Sequence, residues 1–144
     1  QQILTASAND TAKLWSAASG ECLRTLEGHR RSLMSAAFSP DGQQILTASA
    51  ASAAKLWSAA SGECLRTLAG HQGPLTSTAF SPDGQQILTA SEDITAKLWS
   101  TASGECLRTL EGHPDFLTSA AFSPDGQQIL TASEDTTAKL WSAA

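Results

Sequence analysis

The heptapeptide QQILTAS begins at residues 1, 43, 85 and 127, and KLWS follows it at 13, 55, 97 and 139. A single period of 42 residues therefore runs through the whole chain. Self-similarity at about 40 to 45 residues belongs to propeller blades and similar arrays. The chain is read as one repeat domain, with copies at 1–42, 43–84 and 85–126 and a partial copy at 127–144. Drift separates old repeats, so copies this similar point to recent amplification or to deliberate design.

Each copy divides at turn signals. SPDG at 39–42, 81–84 and 123–126 is a tight turn in which Pro fixes φ and Gly accepts a positive φ. The stretch from Ser58 to Gly62 and its equivalents, and L-x-G-H at 26–29, 68–71 and 110–113, carry the other breaks. Between them lie LMSAAFS, QQILTAS, AKLWS and ECLRTL, all too short for ordinary helices. Their apolar alternation is only moderate, as expected where both faces of a sheet pack on neighbours. The content predicted is all-β.

A hydrophobic fraction of 41% with 16% charged residues predicts a folded chain. The net charge of -5 argues against nucleic acid, whose recognition needs a basic surface. No apolar run approaches the roughly 20 residues of a membrane span, and the first residues lack the basic and apolar regions of a signal peptide. A soluble, cytoplasmic protein is expected, with no membrane partner. Cys22, Cys64 and Cys106 occupy one equivalent place per copy and are odd in number, so they are read as small buried hydrophobes. The three histidines are likewise spread one per copy, too dispersed in the chain for a metal cluster. No serine lies in a G-x-S-x-G motif, no glycine-rich loop cradles a phosphate, and Asp41, Asp83 and Asp125 belong to SPDG turns. No catalytic residue, metal or cofactor is expected.

The string GH-x3-L-x-S-x-A-F-SPDG-QQILTAS-x3-T-A-K-L-W resembles the WD40 repeat over essentially the whole chain. The resemblance implies a β-propeller of four-stranded antiparallel blades, with strands a to d running outward from the channel. LMSAAFS would be strand a, QQILTAS strand b, AKLWS strand c and ECLRTL strand d. It also implies a buried hydrogen-bond network within each blade, formed by His71, Ser91, Asp93 and Trp99, and again by His113, Ser133, Asp135 and Trp141. A third set, His29, Ser49 and Trp57, faces Ala51 and lacks its carboxylate. Restoring it with Ala51→Asp is expected to add about 1 kcal/mol. Ser16, Ser58, Ser100 and Ser142 stand where the family usually has Asp after Trp, a departure expected to loosen that corner.

Grouped by blade, the strands read bcd, abcd, abcd and abc, about three and a half blades. A propeller ring needs about four to eight blades, so completion by oligomerisation is expected, with a homodimer forming an eight-bladed ring.

Between near-identical copies, the differences carry the information. Eleven of the 42 columns vary, and ten of these fall in or beside the b–c and d–a turns. In an antiparallel meander those turns share one end. Variable loops on a fixed scaffold suit a binding face. The candidate residues there are Arg30, Arg31, Ser32, Met34, Gln72, Pro74, Ile94, Asp115 and Phe116. Arg30 and Arg31 would suit a carboxylate or phosphate, and Ile94 and Phe116, expected near one blade junction, would suit an apolar anchor. Three functions follow: a designed or diversified self-assembling scaffold that binds a protein or peptide, a natural bacterial interaction module, or a ligand-free model of propeller assembly.

Overall fold

A computed structural model describes residues 1–144, which form fourteen β-strands and no helix. The first sheet holds β1 (Gln2–Ala6), β2 (Ala12–Ser16) and β3 (Cys22–Leu26). The second holds β4 (Leu33–Phe38), β5 (Gln44–Ser49), β6 (Ala53–Ser58) and β7 (Cys64–Ala69). The third holds β8 (Leu75–Phe80), β9 (Gln86–Ser91), β10 (Ala96–Ser100) and β11 (Cys106–Leu110). The fourth holds β12 (Leu117–Phe122), β13 (Gln128–Ser133) and β14 (Ala138–Ser142). All neighbours pair antiparallel in sequence order. These four sheets are blades of an open propeller fragment, grouped bcd, abcd, abcd and abc as the sequence predicts.

Local chemistry closes the turns. In the SPDG turns Gly42, Gly84 and Gly126 lie at φ 73 to 74°, a left-handed conformation that glycine adopts without steric cost. Ser39 Oγ donates to Asp41 Oδ1 at 2.7 Å, and the same carboxylate accepts the Gln43 N–H at 2.9 Å. These bonds hold the Asp41 carboxyl below its ordinary range. At the c–d corner the serine after Trp does not loosen the chain, contrary to expectation. Ser58 Oγ accepts the Ser61 N–H at 3.2 Å, and Ser58 O accepts the Gly62 N–H at 2.8 Å, so serine's short hydroxyl closes the turn.

Strand alternation gives each blade two unlike faces. Leu46, Ala48, Ala54, Leu56 and Leu68 line one face of the second blade, the leucine face. Leu75, Ile87, Trp99 and Phe80 line the opposing face of the third, the tryptophan face, and the two sets form one cluster. The same pairing joins the first blade to the second and the third to the fourth. Leu46, Leu56 and Ile87 are fully buried there, and each contributes about 2 kcal/mol of apolar transfer free energy. An arginine clasps every junction: Arg24 Nη2 donates to Ala60 O and Arg66 Nη2 to Ala102 O, both at 2.8 Å, and Arg108 reaches Ser142 O at 2.9 Å.

The cysteines depart from the sequence reading. Cys22, Cys64 and Cys106 are free and exposed at the start of the outer strands, not buried. Along CLRTL in β3 only Leu26 is buried, β3 being the edge strand of its sheet.

One polar group lies buried without a partner, the hydroxyl of Thr101, where the other copies carry alanine. Thr101→Ala is expected to raise stability by about 1 kcal/mol. Urea denaturation checks it, and an unchanged or lower midpoint contradicts it.

Candidate functional site

Within the third blade a relay of side chains runs across the tryptophan face. Trp99 Nε1–H donates to Thr89 Oγ1 at 2.8 Å, Thr89 pairs with His71 Nε2 at 2.7 Å, and His71 Nδ1 meets Asp93 Oδ2 at 2.8 Å. Indole N–H only donates and a carboxylate only accepts, so the proton order is fixed. Thr89 gives its proton to Nε2, and His71 carries its own on Nδ1. Gln72 N–H at 2.9 Å and Thr95 Oγ1–H at 2.7 Å add to the carboxylate. Burial pushes the Asp93 carboxyl up, but bonds from Thr95, Gln72 and His71 outweigh it and hold the group at about 2. Burial also lowers His71, against the pull of Asp93, so the relay is a neutral imidazole beside a carboxylate near neutral pH.

This geometry corrects one assignment. The sequence reading placed Ser91 in the network, whereas Thr89 is the bridge. Ser91 Oγ donates to Gly73 O and Pro74 O and accepts the Asp93 N–H, all at 3.0 Å. It ties the b–c turn to the d–a connection and does not touch Trp99. Ser49 and Ser133 act alike, bonding Arg31 O at 3.2 Å and Asp115 O at 3.0 Å. The hubs are Thr47, Thr89 and Thr131. They sit on the same strand face as Ile87 and its equivalents, two residues before the serine.

The relay is graded along the chain. The fourth blade repeats it through Trp141, Thr131, His113 and Asp135, with His113 to Asp135 at 2.6 Å. Pro114 replaces Gln72 there and has no N–H to offer. The second blade keeps Trp57, Thr47 and His29 but ends at Ala51. Burial, then Lys55, lowers His29 to about 4, against a weaker opposing pull from Asp10. In the first blade only Trp15 to Thr5 is formed, at 2.9 Å. The glycine before each histidine has a steric reason, since a Cβ on Gly70 would meet Trp99 at 3.3 Å.

These histidines serve their own blades, and of the variable columns those of Asp93, Gln72 and Thr95 enter the relay. The b–c turns and d–a connections are laced together at one end of the fragment, as Ser32 Oγ to Ala8 O at 3.2 Å shows for the first junction. Arg30, Arg31, Ser32, Met34, Gln72, Ile94, Asp115 and Phe116 are exposed, and Pro74 is half-buried. Arg30 and Arg31 lie within ion-pair distance of no carboxylate. Phe116 occupies in its copy the place of Ser32, which rests on the preceding blade's b–c turn, and that turn here carries Ile94. Ile94 lies at φ 69°, where a β-branched residue is strained.

A family model described as "WD domain, G-beta repeat" matches residues 20–58, 62–100 and 104–142. Among curated proteins, the nuclear distribution protein PAC1 of Mycosarcoma maydis is 42% identical over 43 residues, covering 30% of this chain and 10% of that protein. The chain thus aligns with about a tenth of that relative's length.

Proposed function

The chain belongs to the WD40 repeat family, its repeats matching most of the sequence, and from this premise we propose that it is a non-enzymatic, self-associating scaffold whose loop end binds a protein or peptide. Proteins of this family mediate protein interactions, which sets the class of function. The observation that carries the finer reading is the placement of the large apolar substitutions. Met34, Ile94 and Phe116 stand exposed where other copies carry polar residues or proline, while the invariant columns build the blades. A strained, exposed isoleucine in a turn has a cost in the free protein, and a bound partner that buries it offsets that cost.

The ligand that fits is a segment with an apolar anchor flanked by Asp or Glu, the carboxylates meeting the unpaired Arg30 and Arg31. The reading also places the protein in the cytoplasm, where exposed thiols such as Cys22 stay reduced.

The test screens acidic peptides bearing one aromatic or aliphatic anchor, by fluorescence anisotropy. The triple variant Met34→Thr, Ile94→Thr, Phe116→Ser installs residues found in other copies. It should lose affinity by about a hundredfold while its fold, read by circular dichroism, persists. Equal binding by the variant, or no binding by the parent chain, sinks the reading.

A further inference from the structure

In the second blade the frame of the relay is built, but the sequence supplies no carboxylate to end it. Trp57 Nε1–H reaches Thr47 Oγ1 at 2.8 Å and Thr47 meets His29 Nε2 at 2.6 Å, against 2.8 and 2.7 Å for their counterparts in the third blade. The turn backbone matches as well. Ala50 N–H donates to Ser32 O at 3.0 Å, as Glu92 N–H does to Pro74 O. Ser52 lies at φ 70° where Ile94 lies at 69°. Two side chains differ, since Ala51 stands in the place of Asp93 and Ala53 in that of Thr95. The carboxyl and the hydroxyl that fill this corner of the third blade are both replaced by methyl groups.

The donors that served them remain. Asp93 Oδ2 accepts from His71 Nδ1–H at 2.8 Å and from Gln72 N–H at 2.9 Å. In the second blade the counterparts are His29 Nδ1 and Arg30 N–H, and neither has a hydrogen-bond partner within the chain. His71 and His113 are buried, whereas His29 is half-buried, so a solute can reach its ring. The corner also favours an anion. Lys55 acts on His29 as a cation, against a weaker opposing pull from Asp10, and the side chains of Arg30 and Arg31 stand exposed beside it.

We propose that this corner of the second blade is a binding site for a ligand's carboxylate, which accepts His29 Nδ1–H and Arg30 N–H as Asp93 does in the third blade. The inference deepens the loop-end binding reading by giving one acidic group of the ligand its seat. Binding fixes the proton order along the relay: Thr47 gives its proton to Nε2, and His29 keeps its own on Nδ1. The blade holds both donors in place beforehand, so the ligand has little ordering to offset. The methyl groups of Ala51 and Ala53 offer no donor to the extra oxygens of a tetrahedral anion, which favours the planar carboxylate.

The test titrates sodium formate into the isotope-labelled chain near neutral pH, against sodium chloride at equal ionic strength, and follows nuclear magnetic resonance shifts. The Arg30 amide and the His29 ring should move together and saturate, with half-saturation at about 10 mM, since so few ligand atoms bind weakly. Chloride should give no saturating shift. Ala51→Asp fills the corner with the chain's own carboxylate and should abolish the response. Ala51→Asn fills it without adding charge and should abolish it too, which separates occupancy from repulsion of anions. Arg30→Gln installs the residue of the third blade and keeps the N–H, so it should weaken binding by less than about fivefold. Acetyl-Asp-amide should move the same two resonances, whereas acetyl-Asn-amide should not. Formate binding without a response to the Asp compound supports the site and assigns it to small free carboxylates.

A response in Ala51→Asn equal to that of the parent, or its complete loss in Arg30→Gln, places the anion on the arginine side chains and overturns the site. A parent chain whose His29 ring does not respond overturns it as well. Formate has no apolar anchor, so the two readings fail separately. A peptide screen that finds nothing while formate binds overturns the loop-end reading and leaves this site standing.

Discussion

Thr89→Val is expected to lower stability by about 3 kcal/mol, because two buried polar groups lose their partner at once. Valine preserves the shape of threonine, so no cavity forms and the packing of Ile87 and Trp99 is retained. The missing hydroxyl leaves Trp99 Nε1–H without an acceptor and His71 Nε2 without a donor, where both had bonds of 2.7 to 2.8 Å. Thr89 and Trp99 are closed to solvent, so water does not replace the bond. Natural domains have about 5 to 15 kcal/mol in total, so the loss is a large share. Thr5→Val in the first blade is the internal control. Thr5 is exposed, its partner Trp15 is only half-buried and no histidine completes that relay, so the same change should cost less than about 0.5 kcal/mol. Equal losses at the two positions would show that the hydroxyl matters for a reason other than the relay.

Ala51→Asp should act in the opposite direction. In the third blade the Asp93 carboxylate gathers His71 Nδ1–H, Gln72 N–H, Thr95 N–H and the Thr95 hydroxyl. The second blade already holds the equivalents of the first three, on His29, Arg30 and Ala53. Its turn backbone is also in place, since Ala51 N–H donates to Ser49 Oγ at 3.0 Å as Asp93 N–H does to Ser91. A carboxylate at this position is expected to add about 2 kcal/mol near neutral pH, more than the single bond read from the sequence, since its bonds are charge-assisted.

The pH dependence gives a second readout. His29 is held from 6.5 down to about 4, chiefly by burial. As pH falls from about 6.5 to about 4, the unfolded chain takes up a proton that the folded chain refuses, so stability declines across that window. The carboxylate introduced by Ala51→Asp would raise the folded value of His29 and flatten the decline. Melting temperatures of both proteins through this window check the claim. A variant that follows the parent curve in parallel would show that the carboxylate does not reach His29.

The strand inventory, the turn positions and the antiparallel order were legible from the residues, because those properties are local. Alternation, the proline and glycine of SPDG, and a repeating period act over a few residues, and 42-residue copies force the same answer each time. The bridging role of Thr47, Thr89 and Thr131 was not legible. Threonine stands there in every copy, so the differences between copies carried no sign of it. Which side chains meet depends on the register of β9 against β10. Thr89 lies opposite Lys97, and Trp99 reaches back across the pair to find it. Serine looked equivalent on chemistry alone, since it too has a hydroxyl, but Ser91 lies at the end of β9, where the d–a connection takes that hydroxyl. The same limit explains the cysteines. A residue in an apolar segment is buried only if a neighbour covers it, and the cysteines stand on the edge strand of each sheet, where they are exposed.

The sequence by itself determined that this chain builds blades, since the repeat places the same apolar alternation and the same turns in each copy. The tertiary structure decided which groups those blades leave uncovered. Exposure depends on what stands opposite a side chain, and Ile3 and Ile45 have the same neighbours in sequence yet differ from half exposed to fully buried.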